Sequence, residues 1–265
     1  MFDLEPHGPD TFVGIGPRYP WGGLFGGQIV AQSLRAAAAT VVPEQQVHSL
    51  RAYFIRRGDH TEPIRFEVDR IRNGRSFSTR RVVARQAIGA ILNLEASFQT
   101  LEDTADIQTV PMPANVAEPE ELPSDAWSDS FDRRDVPDGA LPDDERTGLG
   151  RNAAWMRVTA ELGDDQLLHR CWLAYMSDDM PADAVRRSHP EFHGVDGITY
   201  VASLDHTIWF HRPLRADEWH LYDVTCHSFV GARGLSVGHV FALDGTHVAT
   251  MAQEVLVRDA RQKQD

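Results

Sequence analysis

Cysteine is scarce in this chain of 265 residues, which contains only Cys171 and Cys226. Two cysteines provide neither a disulfide framework nor the paired spacing of a zinc site. Long apolar runs are also absent, since no stretch approaches the roughly 20 residues that span a bilayer. The first ten residues, MFDLEPHGPD, lack the basic and apolar regions of a signal peptide. These absences predict a cytoplasmic protein that is not inserted in a membrane.

Positive charge is in short supply as well. The formal net charge of −13 argues against nucleic-acid binding, which needs a basic surface. Most of the imbalance lies in residues 101–150, where fourteen acidic residues and six prolines accompany three arginines. This composition predicts an acidic, proline-rich linker over 106–150, which lies outside any sheet. Trp127, Phe131 and Leu141 are expected to hold the linker to the surface.

The two nearly neutral flanking pieces, 1–105 and 151–265, show similar patterns. In the first, Ile29, Val30 and Leu34 fall near one face of a predicted helix that Pro43 closes. In the second, the stretch PADAVRRSH predicts a helix. The rest of each piece alternates apolar and polar residues as strands do.

A weak internal repeat supports two related domains. YFIRRG and WFHRPL match at an offset of 156 residues, and RSFSTRRV and RGLSVGHV match at 158. The order of elements agrees better than the letters do. We therefore predict an α+β protein, with two helix-on-antiparallel-sheet domains in one chain.

The stretch VASLDHTIWFHRP raises the question of a serine hydrolase, because Ser203, Asp205 and His206 lie within four positions. If the stretch is one strand, Ser203 and His206 point to opposite faces of the sheet. A histidine on the other face cannot activate a serine. The chain also lacks the G-x-S-x-G turn of many serine hydrolases. A local serine triad is therefore excluded.

Several longer motifs resemble the acyl-CoA thioesterase II family. LFGGQIVAQSL and RNGRSFSTRRVVARQ look like its first half, and AYMSD, ASLDHTIWFHRP and GARGLSVGHVF look like its second. The resemblance covers nearly the whole chain apart from the linker. It implies a double-hotdog fold and hydrolysis of medium- to long-chain fatty acyl-CoA to free fatty acid and CoA. No cofactor or metal is expected, and the resemblance implies a symmetric dimer of double hotdogs.

The resemblance also implies three catalytic residues that hold an attacking water. They are Asp178 in AYMSD, Ser203 in ASLDH, where the family commonly has Thr, and Gln253 in MAQEV. We favour Asp178 over Asp179 because it follows the serine of the family's SD motif. Asp178 is further expected at the N-cap of the PADAVRRSH helix, whose N–H groups would stabilise an oxyanion. Gly26 and its neighbour would allow close backbone approach to the ligand.

Each of these assignments has an alternative. Asp178 alone is typical of a structural helix cap, Ser203 of a packing residue, and Gln253 alone carries little information. A non-catalytic acyl-CoA binding protein and a hotdog dehydratase remain alternative functions. The histidines are interpreted as structural or surface residues. Candidates for binding the CoA phosphates, as opposed to solvated surface charges, are Arg56, Arg57, Arg80, Arg81, Arg186 and Arg187.

Overall fold

The computed structural model describes residues 1–137, 139–141, 150–189, 191–192 and 199–259. In chain order the elements are β1 (Glu5–Pro6), β2 (Thr11–Gly14), α1 (Gly26–Ala38), β3 (Gln45–Phe54), β4 (Ile64–Asn73), β5 (Phe77–Gln86), β6 (Gly89–Thr100), a short 3-10 helix (Pro119–Glu121), β7 (Phe131–Asp135), β8 (Arg151–Val158), α2 (Gln166–Met176), α3 (Pro181–Ser188), β9 (Thr199–Ser203), β10 (Asp205–Phe210), β11 (His220–Val230), β12 (Arg233–Ala242) and β13 (His247–Asp259).

The chain forms two compact units that do not follow the predicted boundaries. The first unit contains Met1–Asp106, Asp165–Asp178 and Asp205–Phe210, and the second contains Ile107–Asp164, Asp179–Leu204 and His211–Asp265. Two short segments of the second half of the sequence therefore belong to the first unit. No helix in the described ranges combines the length and the hydropathy needed to cross a bilayer.

The first unit is an antiparallel sheet with α1 on one face. Its strands are ordered β1-β2-β4-β5-β6-β3-β10. Alternate residues of β5, including Val82 and Ala84, are buried, and α1 packs against β3 to β6. Ile29, Val30 and Leu34 are buried in α1, as the periodicity predicts. The helix ends at Ala38, well before Pro43.

Helix α2 also belongs to the first unit and packs against α1. The contact is close at Gly27, where a Cβ atom would overlap the carbonyl oxygen of Tyr175. Asp165 caps α2, because its side chain accepts hydrogen bonds from Leu167 N at 2.9 Å and Leu168 N at 3.3 Å. Helix α2 was not predicted from the sequence, although an N-cap aspartate before an apolar segment is a standard signal.

The second unit repeats the arrangement with α3 on its sheet. The strands are ordered β13-β12-β11-β8-β7, and β9 pairs with β13. Helix α3, which the sequence predicts, packs against β8, β11, β12 and β13. The stretch from Val201 to Pro213 is not one strand, since the chain leaves strand geometry at Leu204. Within the units, β9 pairs with β13 and β10 pairs with β3.

The acidic segment is part of the second unit. Strand β7 pairs with β8, which contradicts the prediction that this segment lies outside the sheets. Trp155 Nε1 donates to the Ala117 carbonyl at 2.9 Å, and Trp219 Nε1 donates to Glu120 Oε1 at 2.9 Å. Residues 138 and 142–149 lie outside the described residues. Apolar side chains of the segment pack on a core cluster of the sheet; they are Val110, Met112, Val116, Leu122 and Leu141.

Candidate active site

Asp178 lies at the end of α2 and not at the start of α3. Ser177 is the C-cap of α2, and Asp178 follows it directly. The N-cap of α3 is Met180, which makes no side-chain cap hydrogen bond, and Pro181 occupies the first turn. The predicted N-cap role of Asp178 is therefore wrong. Asp178 instead follows α2, a helix that was not predicted from the sequence.

The carboxylate of Asp178 lies against the N-terminus of α1. A Cβ atom on Gly26 would overlap Asp178 Oδ2, and it would also lie 2.8 Å from the Phe54 ring. A methyl group at this position would therefore have to displace the carboxylate, the ring or the start of α1. The first N–H groups of α1 have no acceptor within the helix, and this end of the helix dipole is positive. Asp178 is only 8% exposed, so its carboxylate lies in a shielded place.

A buried serine and histidine fix the end of α2 next to Asp178. Ser177 Oγ lies 2.8 Å from His206 Nε2 and 3.1 Å from the Ala174 carbonyl oxygen. The hydroxyl proton can satisfy only one acceptor. If Ser177 donates to Ala174, His206 must donate its Nε2 proton to Ser177. The hydrogen bond between Ser177 and His206 is then a structural one, and both side chains are fully buried.

Ser203 and Gln253 contact each other in the second unit. Gln253 Nε2 donates to Ser203 Oγ at 2.7 Å, and Gln253 is 1% exposed. The strand register places Ser203 opposite Val255 of β13. Leu204 N donates to the Glu254 carbonyl at 2.9 Å, which extends this pairing beyond the end of β9. The structure thus brings together two of the three predicted residues, while Asp178 is described within the first unit.

The neighbouring carboxylate, Asp179, is engaged elsewhere. Its oxygens accept hydrogen bonds from Trp127 Nε1 at 2.6 Å and Arg133 NH1 at 2.7 Å. Burial raises the pKa of Asp179, while Arg133 and Trp127 act to lower it. These contacts distinguish the two carboxylates by environment. From the sequence, Asp179 was named only as an alternative to Asp178 and Gly26 only as a point of close approach to the ligand, and Arg133 was not identified.

Several predicted CoA-binding arginines have other partners. Arg80 is 2% exposed and donates to the Thr40 carbonyl and to Asn73 Oδ1, so it joins the end of α1 to the sheet. Arg81 pairs with Asp69. Arg57 NH2 donates to the Trp21 carbonyl at 2.6 Å. Arg80 is therefore a structural residue and not a phosphate ligand.

Three histidines of the second unit surround one hydroxyl group. Thr250 Oγ1 lies 2.9 Å from His211 Nε2, 3.2 Å from His247 Nε2 and 3.4 Å from His239 Nδ1. No cluster of three or more histidine, cysteine or acidic side chains with metal-binding geometry occurs among the residues that the structure describes. Burial, followed by the neighbouring His211 and His239, lowers the pKa of His247 to about 4.

We expect this histidine to make the protein less stable in acid. The pKa of His247 in the unfolded chain is about 6.5, so the unfolded state binds more protons between that value and the folded pKa. The free energy of unfolding should therefore fall as the pH decreases from about 6.5 towards 4. Urea unfolding at several pH values in this window should show a smaller decrease for His247→Gln. The exposed His7→Gln variant is the control, and an unchanged slope in His247→Gln would contradict the assignment.

Comparison with known proteins decides the family. Residues 16–99 match the family model of the acyl-CoA thioesterase N-terminal domain, and residues 105–257 match that of the C-terminal domain. The chain belongs to the acyl-CoA thioesterase II family. The predictions of this family and of a thioester hydrolase are confirmed. The C-terminal match includes the acidic segment, in agreement with the pairing of β7.

Individual relatives extend over most of the chain. Acyl-coenzyme A thioesterase 8 of Mus musculus is 35% identical over 97% of this chain and 88% of its own. The crystal structure of the acyl-CoA thioesterase II TesB2 from Mycobacterium marinum has a TM-score of 0.87 and 39% identity, and covers 100% of this chain and 98% of that chain.

A more distant structure supports the fold alone. A conserved protein of unknown function with a hot dog fold from Alicyclobacillus acidocaldarius gives a TM-score of 0.77 at 21% identity, covering 97% of this chain and 96% of that chain. The predicted α+β double-hotdog fold is confirmed.

Proposed function

We propose that this thioesterase hydrolyses medium- to long-chain fatty acyl-CoA to free fatty acid and CoA, by direct attack of a water held by Asp178, Ser203 and Gln253. The observation that carries the proposal is the shielded Asp178 carboxylate against the N-terminus of α1. The hydrogen bond between Gln253 and Ser203 supports it.

The hydrogen-bonding capacity of these groups matches that of an attacking water. Asp178 accepts one water proton and acts as general base. Gln253 Nε2 donates to Ser203, and the carbonyl oxygen of the same amide is the acceptor that we propose for the second water proton. The Ser203 hydroxyl donates to one lone pair of the water. The remaining lone pair attacks the thioester carbon.

The negative charge that develops on the carbonyl oxygen also needs stabilisation. The N–H groups of the first turn of α1 are available as donors because they precede the first intrahelical bond, which runs from Ile29 N to the Phe25 carbonyl. The tetrahedral intermediate then collapses, the carbon–sulfur bond breaks, and CoA leaves as the thiolate. Asp178 transfers the proton it has taken to the departing sulfur.

Incubation with palmitoyl-CoA and a thiol reagent tests the activity. We expect one free thiol and one palmitate for each thioester consumed, with faster turnover of decanoyl- and palmitoyl-CoA than of butyryl-CoA. A binding protein would retain palmitoyl-CoA without releasing thiol. A dehydratase would convert a 3-hydroxyacyl-CoA to the enoyl thioester and leave the carbon–sulfur bond intact. Either outcome would contradict the proposed hydrolysis.

The two residues of the second unit should contribute less than the base. Ser203→Ala removes one orienting hydrogen bond, and we expect a loss of about 1–2 kcal/mol, or roughly five- to thirtyfold in kcat. Gln253→Ala should fall in a similar range. Ser203→Thr is the matched control and should keep most of the activity, because it retains the hydroxyl. Complete inactivation of Ser203→Ala alone would instead indicate a nucleophilic serine.

We also propose that two copies of the chain form a symmetric dimer, as the family resemblance implies. Light scattering across micromolar concentrations should give twice the mass of the 29.7 kDa chain. The mass of a single chain at every concentration would contradict it.

A further inference from the structure

Asp179 is the second aspartate of the DD pair, Asp178–Asp179, and it lies in an environment different from that of Asp178. Asp179 has a side chain only 7% exposed, and each of its oxygens accepts a short hydrogen bond, one from Trp127 and one from Arg133. Charge-assisted hydrogen bonds of this kind hold a carboxylate in one orientation. Two donors on different oxygens also prevent rotation of the group.

The donors are themselves firmly held. Arg133 lies in β7, which pairs with β8, and its Nε donates to Asp135 Oδ1 at 2.8 Å. Burial acts against the charge of Arg133, but Asp179 and Asp135 raise its pKa overall. The Trp127 ring packs edge-on against Phe131, with 5.2 Å between ring centroids. The clamp on Asp179, formed by Trp127 and Arg133, is therefore anchored in the sheet of the second unit.

The clamp acts one peptide unit away from Asp178. Residues 177–180 lie between α2 and α3, so Asp178 and Asp179 occupy the turn that joins the two helices. The peptide that joins them is planar and rigid, with about 3.8 Å between the two Cα atoms. Fixing the Asp179 side chain therefore limits how far the backbone of Asp178, which carries the carboxylate, can move.

We propose that Trp127 and Arg133 are positioning residues, which hold Asp179 and thereby aim the Asp178 carboxylate at the attacking water. This inference rests on the proposed role of Asp178 as general base. It assigns a function to the acidic segment, because both donors come from within it. Neither residue is required to touch the substrate.

Replacing the donors should lower kcat without a matching change in KM. Trp127→Phe removes the indole N–H and keeps most of the ring, while Arg133→Met removes the charge and keeps much of the length. A displacement of about 1 Å at the reacting group can cost on the order of 10²-fold in rate, so we expect kcat to fall roughly ten- to a hundredfold. Arg133→Lys should recover part of this loss, because it can still donate to Asp179.

Matched controls and a double variant separate positioning from a general loss of structure. Arg134→Met, on the other face of β7, and Trp209→Phe, at an exposed ring, should leave kcat unchanged. In an Asp178→Asn background, Trp127→Phe should have no further effect on residual turnover, because the group it positions is already inactive.

The outcomes distinguish this inference from the proposed mechanism. If Asp178→Asn is inactive but Trp127→Phe and Arg133→Met keep full kcat, the clamp does not position the base and the inference is overturned. The same holds if Trp127→Phe lowers residual turnover equally with and without Asp178. If Asp178→Asn retains normal turnover, the proposed base itself is wrong.

Discussion

Replacement of Asp178 by asparagine is expected to reduce thioester hydrolysis by about 10²- to 10⁴-fold, the range associated with loss of a general base. The amide has nearly the same shape and can still accept a hydrogen bond from the water. It cannot take up the proton that the water must lose. The loss should therefore appear in kcat, while KM for palmitoyl-CoA changes little. Steady-state kinetics with a thiol reagent would measure both constants.

A surface variant provides the control for this substitution. Asp103→Asn makes the same chemical change at an exposed position and should leave kcat unaltered. If Asp178→Asn keeps near-normal turnover, the base has been assigned to the wrong residue. Asp179→Asn would then be the next variant to measure. The contacts of Asp179 with Trp127 and Arg133 argue that this variant would act indirectly.

The substitution Gly26→Ala should be nearly as damaging to activity, although it adds only one methyl group. The new Cβ would overlap Asp178 Oδ2 and would lie 2.8 Å from the Phe54 ring. Either the carboxylate or the start of α1 must move. A shift of about 1 Å at the base is enough for a loss on the order of 10²-fold in kcat. Overpacking of this kind typically costs about 1–3 kcal/mol of stability, so the variant should remain folded.

A second substitution separates the two contacts of the new methyl group. Phe54→Leu relieves the contact with the ring but leaves the overlap with the carboxylate. If displacement of Asp178 causes the loss, the double variant of Gly26→Ala and Phe54→Leu should stay slow. Full recovery in the double variant would show that the ring is responsible and that the carboxylate tolerates the methyl. Thermal unfolding of each variant would verify that the fold is intact.

The sequence predicted the kinds of elements better than their limits. The apolar periodicity of α1 and the alternation in β5 are local patterns, and both elements formed as predicted. No strong turn residue marks the break at Leu204. The break arises because β9 and β10 pair with different strands. Strand partners are decided by contacts far apart in the chain, which a window of neighbouring residues does not contain.

Composition was a poor guide to the acidic segment. Its prolines and carboxylates are typical of a linker, yet a few apolar residues, among them Val116 and Leu122, pack on the second sheet. Burial of a few apolar side chains, helped by strand pairing at Phe131–Asp135, is sufficient to order such a segment.

The motifs identified residues of the candidate site, but the sequence did not predict their geometry. The match of AYMSD, ASLDH and MAQEV identified three polar residues, and the structure shows a direct hydrogen bond between two of them. The assumed N-cap position of Asp178 was wrong because α2 was not predicted, and so the helix before Asp178 was overlooked. Gly26 and Arg133 lie far from Asp178 in sequence, so their relation to the DD pair emerges only in the fold.

The central claim is that water attacks the thioester directly, and single-turnover hydrolysis in ¹⁸O-labelled water tests it best. Enzyme in excess over palmitoyl-CoA would be quenched at intervals, with mass spectrometry of the fatty acid and of the intact protein. Direct attack predicts one ¹⁸O atom in the palmitate from the first turnover and no acylated protein at any time. An acyl adduct on the chain, on Ser203 or on any other residue, would contradict the account.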